Sequence, residues 1–98
     1  MPGWILQSNG EKRVTLRIPR GAVKTLGRTA RADFIVSAAL VSRLHCRLTA
    51  DRSDQLVVED LDSTNGTIVN GRRVKRSLLR AGDRLKVGRV EFVIQARD

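Results

Sequence analysis

Apolar residues recur at every second position along most of the chain. Val14, Leu16 and Ile18 alternate with Thr15 and Arg17, Leu44, Cys46 and Leu48 with His45, Arg47 and Thr49, and Val90, Phe92 and Ile94 with Glu91, Val93 and Gln95. A period of two sends one set of side chains to a core face and the other outward, so each segment predicts a half-buried β-strand. Phe34-Ile35-Val36 and Leu56-Val57-Val58 are continuous apolar runs, which predict short strands covered on both faces or placed at a sheet junction. No window sustains the i, i+3, i+4, i+7 spacing of an amphipathic helix. Ala38-Ala39-Leu40-Val41 is too short to stand as one.

Turn chemistry breaks these runs at regular intervals. Asn-Gly occurs at Asn9-Gly10, Asn65-Gly66 and Asn70-Gly71, and both residue types tolerate positive φ, which makes the pair a hairpin signal. Asp51-Arg52-Ser53-Asp54, Ala81-Gly82-Asp83 and Gly88-Arg89 mark further reversals. Many short strands with frequent turns predict an all-β sandwich or barrel, in which the loops carry the function.

Composition narrows the picture. The 98 residues suit one domain over 1–98, because halves of that size would not bury a core unaided. Nineteen Lys+Arg against 10 Asp+Glu leave a net charge of +9, which favours an anionic partner. Fifteen of these cations are Arg, suited to bidentate contacts with phosphate. Trp4, Phe34 and Phe92 are the only aromatic rings, too few for a base-stacking platform. Cys46 is the single cysteine, so neither an internal disulfide nor a zinc cluster is expected, and its phase with Leu44 and Leu48 marks it as a core thiol. No stretch nears the ~18 consecutive apolar residues of a membrane span. The start of the chain lacks a secretory signal, so an intracellular setting is expected.

Three polar loops remain as carriers of chemistry: Leu26-Gly27-Arg28-Thr29, Val41-Ser42-Arg43-Leu44-His45, and Asp60-Leu61-Asp62-Ser63-Thr64-Asn65-Gly66-Thr67. None supplies a nucleophile–base pair or a metal-ligand spacing, so neither catalysis nor a metal or cofactor is expected. The stretch from Gly21 to Thr29 only superficially suggests a P-loop. Its glycines have five residues between them instead of four, and Arg replaces the lysine.

Taken in order, Gly27-Arg28, Ser42-Arg43-Leu44-His45 and Ser63-Thr64-Asn65-Gly66-Thr67, followed by Val69-Asn70-Gly71, resemble the three motif blocks of the forkhead-associated (FHA) domain. The resemblance covers essentially the whole chain. It implies an FHA-type β-sandwich of about eleven strands in two mainly antiparallel sheets, with loops at one end that recognise phosphothreonine peptides. On the matching positions it implies that Arg28 holds the phosphate and Ser42 donates its hydroxyl. Arg43 would add a backbone N–H and a second cation. Thr64 would flank the phosphothreonine, and Asn65 would fix the ligand backbone. Gly27 and Gly66 would allow close approaches that a Cβ would obstruct, and His45 would support the loops. Leu40, ahead of Ser42, and Arg31 would tune the choice of flanking residues. The resemblance also implies a monomeric, non-enzymatic module of kinase-driven signalling, with a nuclear, DNA-damage setting as one expectation.

The run Arg72-Arg73-Val74-Lys75-Arg76 with Arg80 lies outside these blocks. It reads equally as a solvated hairpin or as a second anion surface, with Arg72 and Arg73 its leading cations. The competing readings of the whole chain are a nucleic-acid-binding β-domain that uses this Arg72–Arg80 stretch and a degenerate FHA domain that makes phosphate-independent contacts.

Overall fold

The computed structural model describes residues 2–10 and 13–97, which contain eleven strands and no helix. In chain order these are β1 (Gly3–Ser8), β2 (Thr15–Pro19), β3 (Val23–Gly27), β4 (Phe34–Ile35), β5 (Cys46–Ala50), β6 (Leu56–Asp60), β7 (Thr67–Val69), β8 (Arg72–Val74), β9 (Arg76–Leu79), β10 (Arg84–Val87) and β11 (Val90–Arg97). Six of them form one sheet in the order β2-β1-β11-β10-β7-β8, and five form the other in the order β4-β3-β5-β6-β9. Every described pairing is antiparallel except the short β3–β4 pair. No helix among the described residues is long and apolar enough to cross a membrane.

The alternating residues supply the core. Leu6, Leu16, Ile18, Leu85, Phe92 and Ile94 point inward from the six-stranded sheet and meet Leu26, Cys46, Leu48, Leu56, Val58 and Leu79 from the other. Two inner faces that interdigitate in this way are what a period of two produces when each sheet has one wet side. Cys46 lies in this core, and burial, aided by the nearby Asp60 charge, pushes its thiol up to about 12. At neutral pH it is an inert apolar group.

Four details depart from the sequence reading. The first is phase: β5 begins at Cys46, so Leu44 and His45 belong to the preceding loop, where Leu44 is half-buried and His45 is fully buried. Secondly, the continuous apolar runs are not covered on both faces, since Ile35 is 54% exposed and Val57 half-buried. Both lie on the outer side of the five-stranded sheet. The third concerns turns. Of the three Asn-Gly pairs, only Asn70-Gly71 closes a two-residue hairpin, between β7 and β8, with φ of 50° and 84°. Asn9-Gly10 opens a longer β1–β2 connection, whose residues 11 and 12 lie outside the described residues. Asn65-Gly66 sits where the chain crosses from β6 in one sheet to β7 in the other. Finally, the Arg72–Arg80 stretch is not a hairpin. Its strands β8 and β9 belong to different sheets, and Lys75 spans the gap with its carbonyl accepting from the Asp60 N–H (2.8 Å).

Candidate functional site

The β3–β4, β4–β5 and β6–β7 connections meet at one end of the sandwich, held there by backbone contacts. The Arg28 N–H donates to the Ser42 carbonyl (2.9 Å), the His45 N–H to Leu26 (2.8 Å), and the Leu61 N–H to the His45 carbonyl (2.9 Å). Gly27 permits the first of these approaches, because a Cβ there would lie 2.1 Å from the Arg43 carbonyl oxygen. No side chain survives that contact without moving the backbone.

His45 ties the second loop to the third from inside. Its Nδ1 accepts from the Ser42 N–H (3.1 Å), and its Nε2 lies 2.8 Å from the Gly66 carbonyl. A backbone N–H only donates and a carbonyl only accepts, so the pair of contacts selects the neutral ring with its proton on Nε2. Beneath the third loop is a hub that sequence reasoning assigned no role. Asp60 accepts from the Ser63 hydroxyl (2.5 Å), the Ser63 N–H (3.1 Å) and the Thr67 hydroxyl (2.7 Å), while the Ser63 hydroxyl oxygen accepts from the Gly66 N–H (2.9 Å). Burial pushes the Asp60 carboxyl upward, but the Ser63 and Thr67 hydrogen bonds together outweigh it and hold the group below its ordinary 3.8. The available signal was an acid with hydroxyls three and seven residues on, which by itself reads as a solvated loop.

Over this framework lies an open cleft of about 300 Å³, lined by Arg28, Ala39, Leu40, Val41, Ser42, Thr64 and Asn65. Each polar member is held by an internal bond and keeps capacity in reserve. Arg28 donates its Nε to the Val41 carbonyl (2.9 Å), which leaves its two terminal nitrogens with four N–H donors. Neither ion pair found among the described residues, Arg47–Glu59 and Arg84–Glu91, involves it. The Ser42 hydroxyl oxygen accepts from the Thr64 N–H (3.0 Å), so its own hydrogen is free to donate. Asn65 donates Nδ2 to the Leu40 carbonyl (3.2 Å) and keeps its amide oxygen as an acceptor. Leu40 adopts φ of 70°, a left-handed conformation unusual for a leucine, and is 46% exposed at the rim. An open cleft with a fixed guanidinium, a hydroxyl donor and an amide suits a tetrahedral oxyanion on a peptide.

The other expected residues, Arg43 among them, do not line this cleft. Arg43 is exposed beside it, with its carbonyl accepting from the Thr29 hydroxyl (3.3 Å). Arg31 is exposed on the β3–β4 loop, where its N–H donates to the Thr29 hydroxyl (3.4 Å). Gly66, at φ of 90°, lies under the Arg73 side chain, whose Nε would come within 2.6 Å of a Cβ there. Arg72 and Arg73 stand on β8, with Arg73 facing a second, larger depression on the far side of the β6–β7 loop.

Known proteins share this fold. The family model described as FHA domain matches residues 24–88. The chain is 37% identical over 81 residues, 83% of its length, to the ABC transporter ATP-binding/permease protein Rv1747 of Mycobacterium tuberculosis. It is 33% identical over 91 residues, 84% of its length, to the FHA domain-containing protein FhaA of the same organism. The chain spans only 9% and 17% of the lengths of those two relatives. A solved FHA domain with phosphothreonine-dependent interactions superposes with a TM-score of 0.89 at 29% identity, covering 98% of both chains. With a family match over the core of the sequence and the three motif loops gathered at one cleft, the chain belongs to the FHA domain family.

Proposed function

We propose that this chain, read as one FHA domain over 1–98, binds phosphothreonine in partner proteins, and that Arg28, Ser42, Thr64 and Asn65 make the contacts. FHA domains are binding modules, and kinase-driven signalling is the setting in which such a module works. The observation that carries the assignment is the reserve capacity in the cleft: four Arg28 donors and the Ser42 hydroxyl hydrogen face one opening. A phosphothreonine brings about −1.5 to −2 charges and three acceptor oxygens at pH 7. Ala39, Leu40 and Val41 form an apolar wall beside these donors, against which the threonine methyl group packs. One methyl group contributes roughly 1–3 kcal/mol, so phosphoserine is bound more weakly but not excluded.

The basic surplus supports no nucleic-acid reading of comparable weight. Trp4 and Phe92 are buried and Phe34 half-buried, so no ring among them is offered for stacking a base. A nuclear, DNA-damage role gains no support from the relatives named above.

Calorimetric titration of matched phosphothreonine, phosphoserine and unphosphorylated peptides tests the assignment. The expected order is phosphothreonine first, phosphoserine next and no binding of the unphosphorylated peptide. Affinity should rise from pH 5 to 7 as the phosphate loses its second proton near ~6. Equal binding of the phosphorylated and unphosphorylated peptides overturns it.

A further inference from the structure

The phosphothreonine cleft leaves most of the basic excess unused. Arg72, Arg73, Lys75, Arg76 and Arg80 follow one another with no acidic residue between 72 and 82, and all five are exposed. They run along two sheet edges, since β8 ends the six-stranded sheet and β9 the five-stranded one. Neither ion pair among the described residues involves any of them. Arg on an edge strand discourages edge-to-edge pairing, and that accounts for Arg72 and Arg76. It does not account for the position of Arg73.

The Arg73 side chain lies over Gly66, the residue after Asn65, and its guanidinium covers the β6–β7 loop. The same loop lines the phosphothreonine cleft through Thr64 and Asn65. With Lys75, Arg73 forms the basic lip of a depression of about 540 Å³, whose other lining residues include Asp60, Asp62 and Ser63. Asp60 is already engaged, because both its oxygens accept from Ser63 and one also from Thr67. Asp62 is exposed, and it is the one acid on this lip not committed to the hub. A ligand chain seated at Arg28 and continuing over the β6–β7 loop meets Arg73 first and Lys75 next.

We infer that Arg73 and Lys75 form a second anion subsite, which takes acidic side chains in the ligand flank that crosses the β6–β7 loop. This rests on the phosphothreonine reading of the neighbouring cleft. Packing over Gly66 restricts the Arg73 guanidinium before the ligand arrives, so less side-chain entropy is lost on contact. Asp62 opposes the same ligand charge and limits the gain. The contact is at a solvated rim, so it strengthens binding modestly and is screened by salt.

The test uses four peptides: phosphothreonine with neutral flanks, with an acidic N-terminal flank, with an acidic C-terminal flank, and an unphosphorylated peptide acidic on both sides. Affinities are measured by fluorescence anisotropy at low and high salt. One acidic flank should tighten binding about three- to tenfold at low salt, and the gain should shrink as salt is added. In Arg73→Gln/Lys75→Gln the gain should vanish, while the neutral phosphopeptide stays within about twofold of wild type. In Asp62→Asn it should grow. Absence of any flank effect, or its survival in the double variant, overturns the subsite but leaves the phosphothreonine reading intact. Failure of the neutral phosphopeptide to bind overturns that reading and the subsite together. Tight binding of the unphosphorylated acidic peptide also overturns the subsite, since it marks a diffuse polyanion surface. Because Arg73 and Lys75 are exposed, the double variant keeps its fold, which a thermal melt verifies.

Discussion

Two depressions flank the β6–β7 loop, and the larger is not the one best equipped to bind phosphate. The depression of about 540 Å³ has a floor whose polar atoms are spent on one another: Asp60 on Ser63 and Thr67, and Ser63 on Asp60 and Gly66. The cleft of about 300 Å³ holds Arg28, Ser42 and Asn65 by one side-chain contact each and leaves their remaining donors and acceptors toward solvent. A satisfied network stiffens a fold, whereas aimed but unspent donors can receive a ligand without reorganising. Volume therefore says less about the site than spare hydrogen-bonding capacity. The two depressions are also connected, because the hub under one fixes the loop that lines the other.

Removing the Arg28 guanidinium should separate the two regions most sharply. Arg28→Ala is expected to cost roughly 2–5 kcal/mol of phosphothreonine-peptide affinity, the range for truncating one partner of a hydrogen-bonded charge pair. Its melting temperature should barely change. In the other depression, Lys75→Ala should leave the affinity for a neutral-flanked phosphopeptide within about twofold. Equal losses in the two variants, measured by titration calorimetry, erase the distinction between the two depressions.

His45→Ala attacks the shared framework. It strands the Ser42 N–H and the Gly66 carbonyl and opens a cavity at a fully buried position. A stability loss of about 3 kcal/mol is expected, seen as a fall of roughly 12–24 °C in Tm for a domain this size. Ser63→Ala should cost less, about 1–3 kcal/mol, because it leaves the Gly66 N–H unpaired and removes one of the donors to Asp60. Its effect on phosphopeptide affinity should be far smaller than that of Arg28→Ala. A Ser63→Ala protein that melts like wild type but no longer binds would place Ser63 in the ligand site instead of beneath it.

The difference between cleft and hub also decides what could be read from the sequence. Arg28, Ser42, Thr64 and Asn65 were legible because the three loops carry recognisable residue types in order, and the alternating strands between them fix which end of the sandwich they share. His45 was legible as a supporting residue, but its burial was not. The period of two was carried one residue pair too far, into a loop that turns the imidazole inward before β5 begins. Arg73 over Gly66 was hidden for a different reason. The two lie seven residues apart and meet only because the Asn70-Gly71 turn folds β8 back on β7, placing Arg73 opposite Ile68. The change of sheet at Lys75 leaves no mark in the pattern, since charged edge strands look alike whichever sheet they border.

The smallest expected effect concerns the charge at the centre of the hub. The folded Asp60 carboxyl lies below its ordinary 3.8, so ionised Asp60 favours the folded state. That contribution is complete above the unfolded-state value of about 3.9 and is lost as pH falls through it toward the lower folded-state value. Asp33 is lowered too, chiefly by the Thr25 N–H and then by the Thr25 hydroxyl, so an acid titration of the wild type alone does not isolate Asp60. Asp60→Asn does, because Asp33 is common to both proteins. The stability gap between wild type and variant, from urea unfolding at a series of pH values, should be constant from about pH 7 to 5 and should narrow below about 4. A gap that stays constant into strong acid means that the shape of the Asp60 side chain, and not its charge, organises the loop beside the Arg28 cleft.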